Sequence, residues 1–214
     1  MYLNKANLEL AALACTDAGR TNLAVLRVEP TRTIATDGHV LGIVDVPALD
    51  PKDYPAVGGL TETDAAFEAC SIPVPAARAL LKAIPKARHQ PILRNAKVDV
   101  AASNANGTFR AVTTDLETTT PIEARKVDET FPDIAQVMPT GEPRLRVAFD
   151  AALLAHVLST AVKMGLPGKN NAVTLEFFRD HNASKDTATP QPLKITGKTT
   201  EGQAITFLVM PCRV

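Results

Sequence analysis

The chain has 214 residues, 45% of them apolar, and 23 Lys plus Arg balance 23 Asp plus Glu. That length and apolar share suffice for a buried core in one large or two small domains, while zero net charge leaves any attraction for nucleic acid to local clusters of cations. No apolar run reaches the roughly 18 residues of a membrane span, and Lys5 and Glu9 interrupt any signal-peptide pattern, so a soluble cytoplasmic protein without membrane contact is expected.

The first apolar stripe, Leu8, Ala11, Ala12 and Cys15, is spaced i, i+3, i+4, i+7 and predicts an amphipathic helix. Three runs rich in β-branched residues follow, "NLAVLRVE", "RTIATD" and "HVLGIVDV", each with strand character. Residues 47 to 65, "PALDPKDYPAVGGLTETDA", read as a long loop that carries no core. The second stripe is Ala77, Leu80, Leu81 and Ile84. Pro75 suits its first turn and Pro85 stops it, which bounds the helix at about ten residues. "KVDVAAS", "TFRAVTT" and "TTPIEARKV" are the next strands.

A third stripe, Leu154, Val157, Leu158 and Ala161, ends at "GLPGKNN", residues 165 to 171. Asn170 stands where a phosphate loop needs Ser or Thr, and the segment follows a helix instead of opening one. It therefore reads as a helix C-terminus, with Gly165 near the cap and Lys163 favourably placed against the helix dipole. The strands "AVTLEFF", "PLKITGK" and "AITFLVM" follow, the first two separated by a polar hairpin tip at 180–192. Helix starts recur at roughly 70 to 77 residues, so the chain reads as three helix-plus-strands units.

Within "TIATDGHVLG", residues 33 to 42, Asp37-Gly38-His39 lies between two apolar runs, the signal of a two-residue hairpin turn that needs positive φ. Catalysis by Asp37 and His39 would require a nucleophile or third group that the sequence does not offer. The four histidines form no HxH or HxxxH pair, and Cys15, Cys70 and Cys212 form no CxxC or Cys/His pairing, so no disulfide framework, metal or cofactor is expected. The chain reads as a non-enzyme. Arg78, Lys82 and Lys86 fall at i, i+4 and i+8 with Arg88 just beyond, a positive stripe opposite the apolar face if the helix survives Pro85. It is either a solvated face or a set of phosphate contacts, and Lys163 adds a weaker cationic site on the third helix.

Three separated strings, "ATDGHVL" (35–41), "VDETFPDIAQVMP" (127–139) and the terminal "FLVMPCRV" (207–214), resemble landmarks of the bacterial replicative sliding clamp, the beta subunit of DNA polymerase III, in the same order. The resemblance implies an α+β clamp fold of repeated helix-plus-antiparallel-strands units, about one and a half clamp domains. Residues 1–128 would form a clamp-like domain of two units, 129–143 a connector and 144–214 a half-domain. In that family the strings meet at a groove that docks partner peptides. By matching positions the groove would use Thr36, Gly38, His39, Leu41, Pro132, Val137, Val209, Met210, Pro211 and Arg213. In that family the helices line a DNA channel, so the cations read from helical spacing, Arg78, Lys82, Lys86 and Arg88, together with Lys163, would be the DNA-facing ones.

The implied function is a DNA polymerase processivity factor or docking platform, nucleoid-associated. It would bind double-stranded DNA non-specifically and take up polymerase or repair proteins carrying clamp-binding peptides, with a clamp loader as a further partner. The alternative is a clamp mimic that competes for those proteins as a regulator or decoy without encircling DNA. Val40, Ile134 and Cys212 stand where the family commonly has Arg, Tyr and Met, which points to a different ligand preference. Family chains have six units against about three here. A third unit without its sister would leave a sheet edge open, so homo-oligomerisation is expected, by a symmetric dimer of third units or by roughly four copies closing a ring.

Overall fold

The computed structural model describes residues 1–17, 19–57, 60, 63, 65–87, 89–105, 107–143, 146–166, 171–178 and 191–212. It divides into two units, Met1–Met138 and Pro139–Val214. The division falls inside the segment read as a connector, and residues 129–138 group with the first unit. There the Thr21 hydroxyl donates to the Glu129 carboxylate, and Asp133 caps a short 3-10 turn at Ile134–Gln136.

The first unit opens with β1 (Tyr2–Asn4) and α1 (Lys5–Glu9), which tightens into a 3-10 turn at Leu10–Leu13. Asn4 and Asn7 cap this start reciprocally, each side chain accepting from the other's backbone N–H. The expected stripe changes as the helix tightens. Three residues per turn put Leu8, Ala11 and Ala14 in the core, leave Ala12 exposed and place Cys15 beyond the helix. The strands β2 (Val25–Val28), β3 (Arg32–Thr36) and β4 (Leu41–Asp45) follow.

The second half repeats the plan with β5 (Cys70–Pro73), α2 (Val74–Ala83), β6 (Asn95–Val98), β7 (Thr108–Thr114) and β8 (Thr119–Arg125). The helix ends at Ala83 with Ile84 as its cap, as Pro85 requires. "KVDVAAS" is strand only as far as Val98. Asp99 accepts from the Ala102 N–H at 3.0 Å and starts α3 (Val100–Asn104), because an Asp cap ahead of alanines favours helix over strand.

Each half gives the strand before its helix to the other half's sheet. The sheet orders are β4-β3-β2-β5 and β1-β6-β7-β8, all antiparallel, with Leu26 opposite Ile72 and Leu3 opposite Ala96. Leu3, Leu8, Leu26, Ile72, Leu80 and Phe109 from both halves share one core, and α1 packs beside α2. The loop after β4 does carry core, contrary to expectation. Tyr54 is buried, its ring centroid lies 5.1 Å from that of Tyr2, and its hydroxyl donates to the Asn95 carbonyl at 2.9 Å, so both the apolar body and the polar tip are satisfied.

The second unit contains α4 (Ala151–Lys163), β9 (Thr174–Glu176), β10 (Leu193–Lys198) and β11 (Ala204–Val209), with sheet order β11-β10-β9. Asp150 caps α4 by accepting from the Ala152 and Leu153 N–H groups. Gly165, at φ +77°, ends it with its N–H on the Val162 carbonyl, the cap read from the sequence. Leu193, Ile195 and Val209 form a small core under Leu154, Val157 and Leu158 of α4. Most of the polar tip at 180–192, as well as residues 167–170 of "GLPGKNN", lies outside the described residues.

Candidate functional site

Asp37 builds a turn. Thr36 pairs with Leu41 across β3 and β4, so the loop has four residues and not the two expected. The Asp37 carboxylate accepts from the His39 and Val40 N–H groups at 2.7 and 2.9 Å. The Thr36 hydroxyl accepts from Gly38 N–H at 3.0 Å and donates to the Val40 carbonyl at 2.6 Å. Gly38 alone carries positive φ, +92°. The hydrogen bonds from Val40 and His39 hold the Asp37 carboxyl below its ordinary range. Both lone-pair directions of that oxygen are spent on the backbone, which suits a turn former better than a general base. Among the described residues no group of three or more His, Cys, Asp or Glu could hold a metal.

The same turn occurs again between β7 and β8. Thr114 accepts from Leu116 N–H at 3.0 Å and donates to the Thr118 carbonyl, and Asp115 accepts from the Glu117 and Thr118 N–H groups. The duplication of helix and strands therefore extends to the loop chemistry.

His39 and Val40 project beside a cavity of about 500 Å³ lined also by Leu13, Cys15, Asp17 and Arg20. The Arg20 guanidinium lies over the turn, since a Cβ on Gly38 would meet its Nη1 at 3.5 Å. Gly42 lets the 3-10 turn close on β4, because a Cβ there would sit 2.5 Å from Leu10 and 2.7 Å from Leu13. The sequence reading missed Leu13, Cys15 and Arg20. Spacing offers no signal for them, since they reach the turn only through the packing of the 3-10 segment on β4.

The remaining expected groove residues are placed as follows. In the first unit Thr36 is buried, Leu41 is half-buried, Pro132 is exposed and Val137 is 70% exposed. In the second unit Met210 is 65% exposed, Pro211 is half-buried, and Val209 belongs to the unit's own core. Arg213 lies outside the described residues.

Of the expected DNA-facing cations, Arg78 and Lys82 are exposed on α2, whereas Lys86 follows the helix end and so does not continue the stripe. Arg88 is outside the described residues, and Lys163 is exposed in the last turn of α4. The fold supplies other neighbours. Lys82 and Lys86 line a cavity of about 660 Å³ together with Lys5, Arg94, Glu9, Leu81, Ile84 and Pro85. Lys5 reaches Glu9 at 3.8 Å, an exposed pair that leaves the cavity lining net positive.

No protein-family model matches the sequence, and neither does any curated protein. Solved structures do. The beta subunit of the DNA polymerase of Streptococcus pyogenes matches 100% of this chain and 50% of its own at 14% identity, with a TM-score of 0.66. The DNA polymerase sliding clamp of Pseudomonas aeruginosa matches 99% of this chain and 50% of its own at 18% identity and 0.65. That of Bacillus subtilis matches 100% and 49% at 13% identity and 0.65. The chain has the sliding-clamp fold. It spans about half the length of the clamps it matches. Fold class and resemblance thus agree with the sequence reading, although identities this low carry the fold alone. No helix among the described residues is long and apolar enough to cross a membrane.

Proposed function

We propose that the chain is a non-enzymatic, sliding-clamp-like processivity factor or docking platform, acting on DNA in the cytoplasm. It would bind double-stranded DNA without base specificity and take up clamp-binding peptides of polymerase or repair proteins, with a clamp loader as a further partner. The observation that carries this is the match of essentially the whole chain to clamp structures. Thr36, Gly38, His39, Leu41, Pro132 and Val137 of the first unit, and Val209, Met210, Pro211 and Arg213 of the second, are the proposed peptide contacts. Leu13 and Arg20 join them through the cavity beside the turn. A soft, exposed methionine suits short apolar anchors, and the cavity beside the turn, lined by Arg20 and His39 as well as Leu13 and Val40, suits a peptide's polar groups as well as its apolar ones. A Pseudomonas aeruginosa clamp of this fold has been solved bound to griselimycin.

A folded Met210→Asp variant tests the reading. Each buried apolar anchor contributes roughly 1 to 3 kcal/mol, so a fluorescent peptide with leucine and phenylalanine anchors should lose at least tenfold in affinity. Unchanged affinity removes the groove. The alternative reading is a mimic that holds the same partners without encircling DNA. Retention on closed circular but not linear DNA separates the two, because only a topological clamp slides off free ends. Self-association, by a dimer or a ring, belongs to the proposal.

A further inference from the structure

The described elements of Pro139–Val214 follow the plan of half of Met1–Met138, one helix followed by antiparallel strands, and their sheet edges differ. In the first unit, the first strand after each helix has its outer edge covered: β2 by β5, and β6 by β1. β9, the first described strand after α4, pairs only with β10, so its outer edge has no strand among the described residues. A segment equivalent to β5 is present ahead of α4. Ser71, three residues ahead of α2, accepts on its carbonyl from the N–H of Val127, just past β8, at 2.9 Å. Ala148, three residues ahead of α4, accepts from the N–H of Cys212, just past β11, at 2.8 Å. The segment 146–149 is thus held as β5 is held, on one edge. β5 uses its other edge for β2; that of 146–149 has no strand among the described residues.

The apolar surface follows the same comparison. α2 buries Ala77 and Leu80 completely beside α1, whereas α4 buries only Ala161 and exposes Leu153, Val162 and Met164. Leu175 and Phe177 are exposed on and next to β9. Of the thirteen exposed large hydrophobic residues described, eight belong to this smaller unit. On α4, Leu153 and Met164 fall on one side of the helix, eleven residues apart, and open sheet edges and exposed apolar residues are relieved by pairing.

We propose that two copies of the chain associate through Pro139–Val214 by reciprocal strand addition. Segment 146–149 of each copy becomes the fourth strand on the β9 edge of the other, and the two α4 helices pack together as α1 packs on α2. One edge and one strand per copy are self-complementary under a two-fold axis, so the assembly closes at two. The product repeats the architecture of the first unit, with true symmetry in place of internal duplication. The inference specifies the self-association in the proposed function and does not depend on the peptide groove.

Sedimentation of the full chain and amide hydrogen exchange over a dilution series test it. The wild-type chain sediments as a dimer, and the amides of 146–149 and Thr174–Glu176 exchange more slowly as concentration rises. Leu153→Glu with Met164→Glu, both at exposed positions, raises the dimer dissociation constant by about 100-fold, the effect of losing two interface anchors. Leu116→Glu, a comparably exposed apolar position in the first unit and outside the proposed groove, leaves it unchanged. A monomeric wild-type chain overturns both this inference and self-association as such. A dimer or tetramer that persists in the double variant, or whose β9 amides exchange independently of concentration, overturns this interface alone. Protection of those amides at all concentrations in a monomer would mean that this chain's own residues cover the edge, which also overturns it. The exchange readout on wild-type protein stands even if the double variant fails to fold.

Discussion

Gly38 and Leu116 occupy the same position of the same turn, at φ +92° and +81°. Each follows a Thr-Asp pair whose side chains take up the backbone N–H groups of the loop. An L side chain in this region costs roughly 1 to 2 kcal/mol, while glycine loses roughly 0.5 to 1 through added freedom when unfolded. Leu116 is 56% exposed, so its side chain contributes little packing. Leu116→Gly should therefore stabilise the protein by about 0.5 kcal/mol, and Gly38→Leu should destabilise it by about 1 kcal/mol or more. Urea denaturation midpoints measure both. A destabilised Leu116→Gly variant would mean that Leu116 holds a contact the turn geometry does not account for.

The paired turns also set a shared acid response. Asp37 is held below its ordinary carboxylate range mainly by the Val40 and His39 N–H groups, and Asp115 mainly by the Thr118 N–H and hydroxyl. A depressed folded-state pKa stabilises fully above the unfolded value and is lost as pH falls through the folded one. Both loops should keep their geometry as pH falls through the ordinary aspartate pKa of about 3.9 and loosen only as it falls through their own, lower values. Carboxyl carbon shifts followed by NMR should give midpoints below the ordinary value for Asp37 and Asp115. Ordinary midpoints would mean the turns are not formed in solution.

Asn7 is fully buried, and its amide donates to the Thr33 hydroxyl at 3.1 Å and to the Val44 and Asp45 carbonyls at 3.3 and 3.0 Å. It ties α1 to the edge strand β4 while capping its own helix. Asn7→Leu keeps the branching and heavy-atom count, adds some bulk and strands those partners, each buried unsatisfied group costing about 1 to 3 kcal/mol. A loss of about 2 to 4 kcal/mol is expected in chemical denaturation; a loss under about 0.5 kcal/mol would show that water or neighbours replace the amide.

Lys82 and Lys86 share one cavity with Lys5 and Arg94. If this cavity faces DNA, Lys82→Gln with Lys86→Gln should weaken binding equally across sequences and flatten the log–log salt dependence by roughly two units, at about 0.9 per phosphate. Anisotropy titrations at several salt concentrations read the slope. An unchanged slope would place the DNA contacts elsewhere.

The sequence by itself determined the elements whose cause is local. Pro75 and Pro85 bracket α2 because a ring that fixes φ and removes an N–H acts at its own position, and Gly165 ends α4 for an equally local reason. "TFRAVTT" is β7 residue for residue, and the three landmark strings already pointed to the clamp fold. Tertiary structure alone decided the rest. β1 and β5 have three and four residues and exist because another half's sheet edge pairs with them, which leaves no periodicity in their own letters. Packing of the first helix, tightened to three residues per turn against β3 and β4, moved the buried stripe from Cys15 to Ala14. Tyr54 entered the core because Asn95 offered its hydroxyl a carbonyl, and Lys5 and Arg94 joined Lys82 from far along the chain. Periodicity, caps and turns report the forces a residue feels from its sequence neighbours, while edge pairing and cavity lining are set by residues that only the folded backbone brings near.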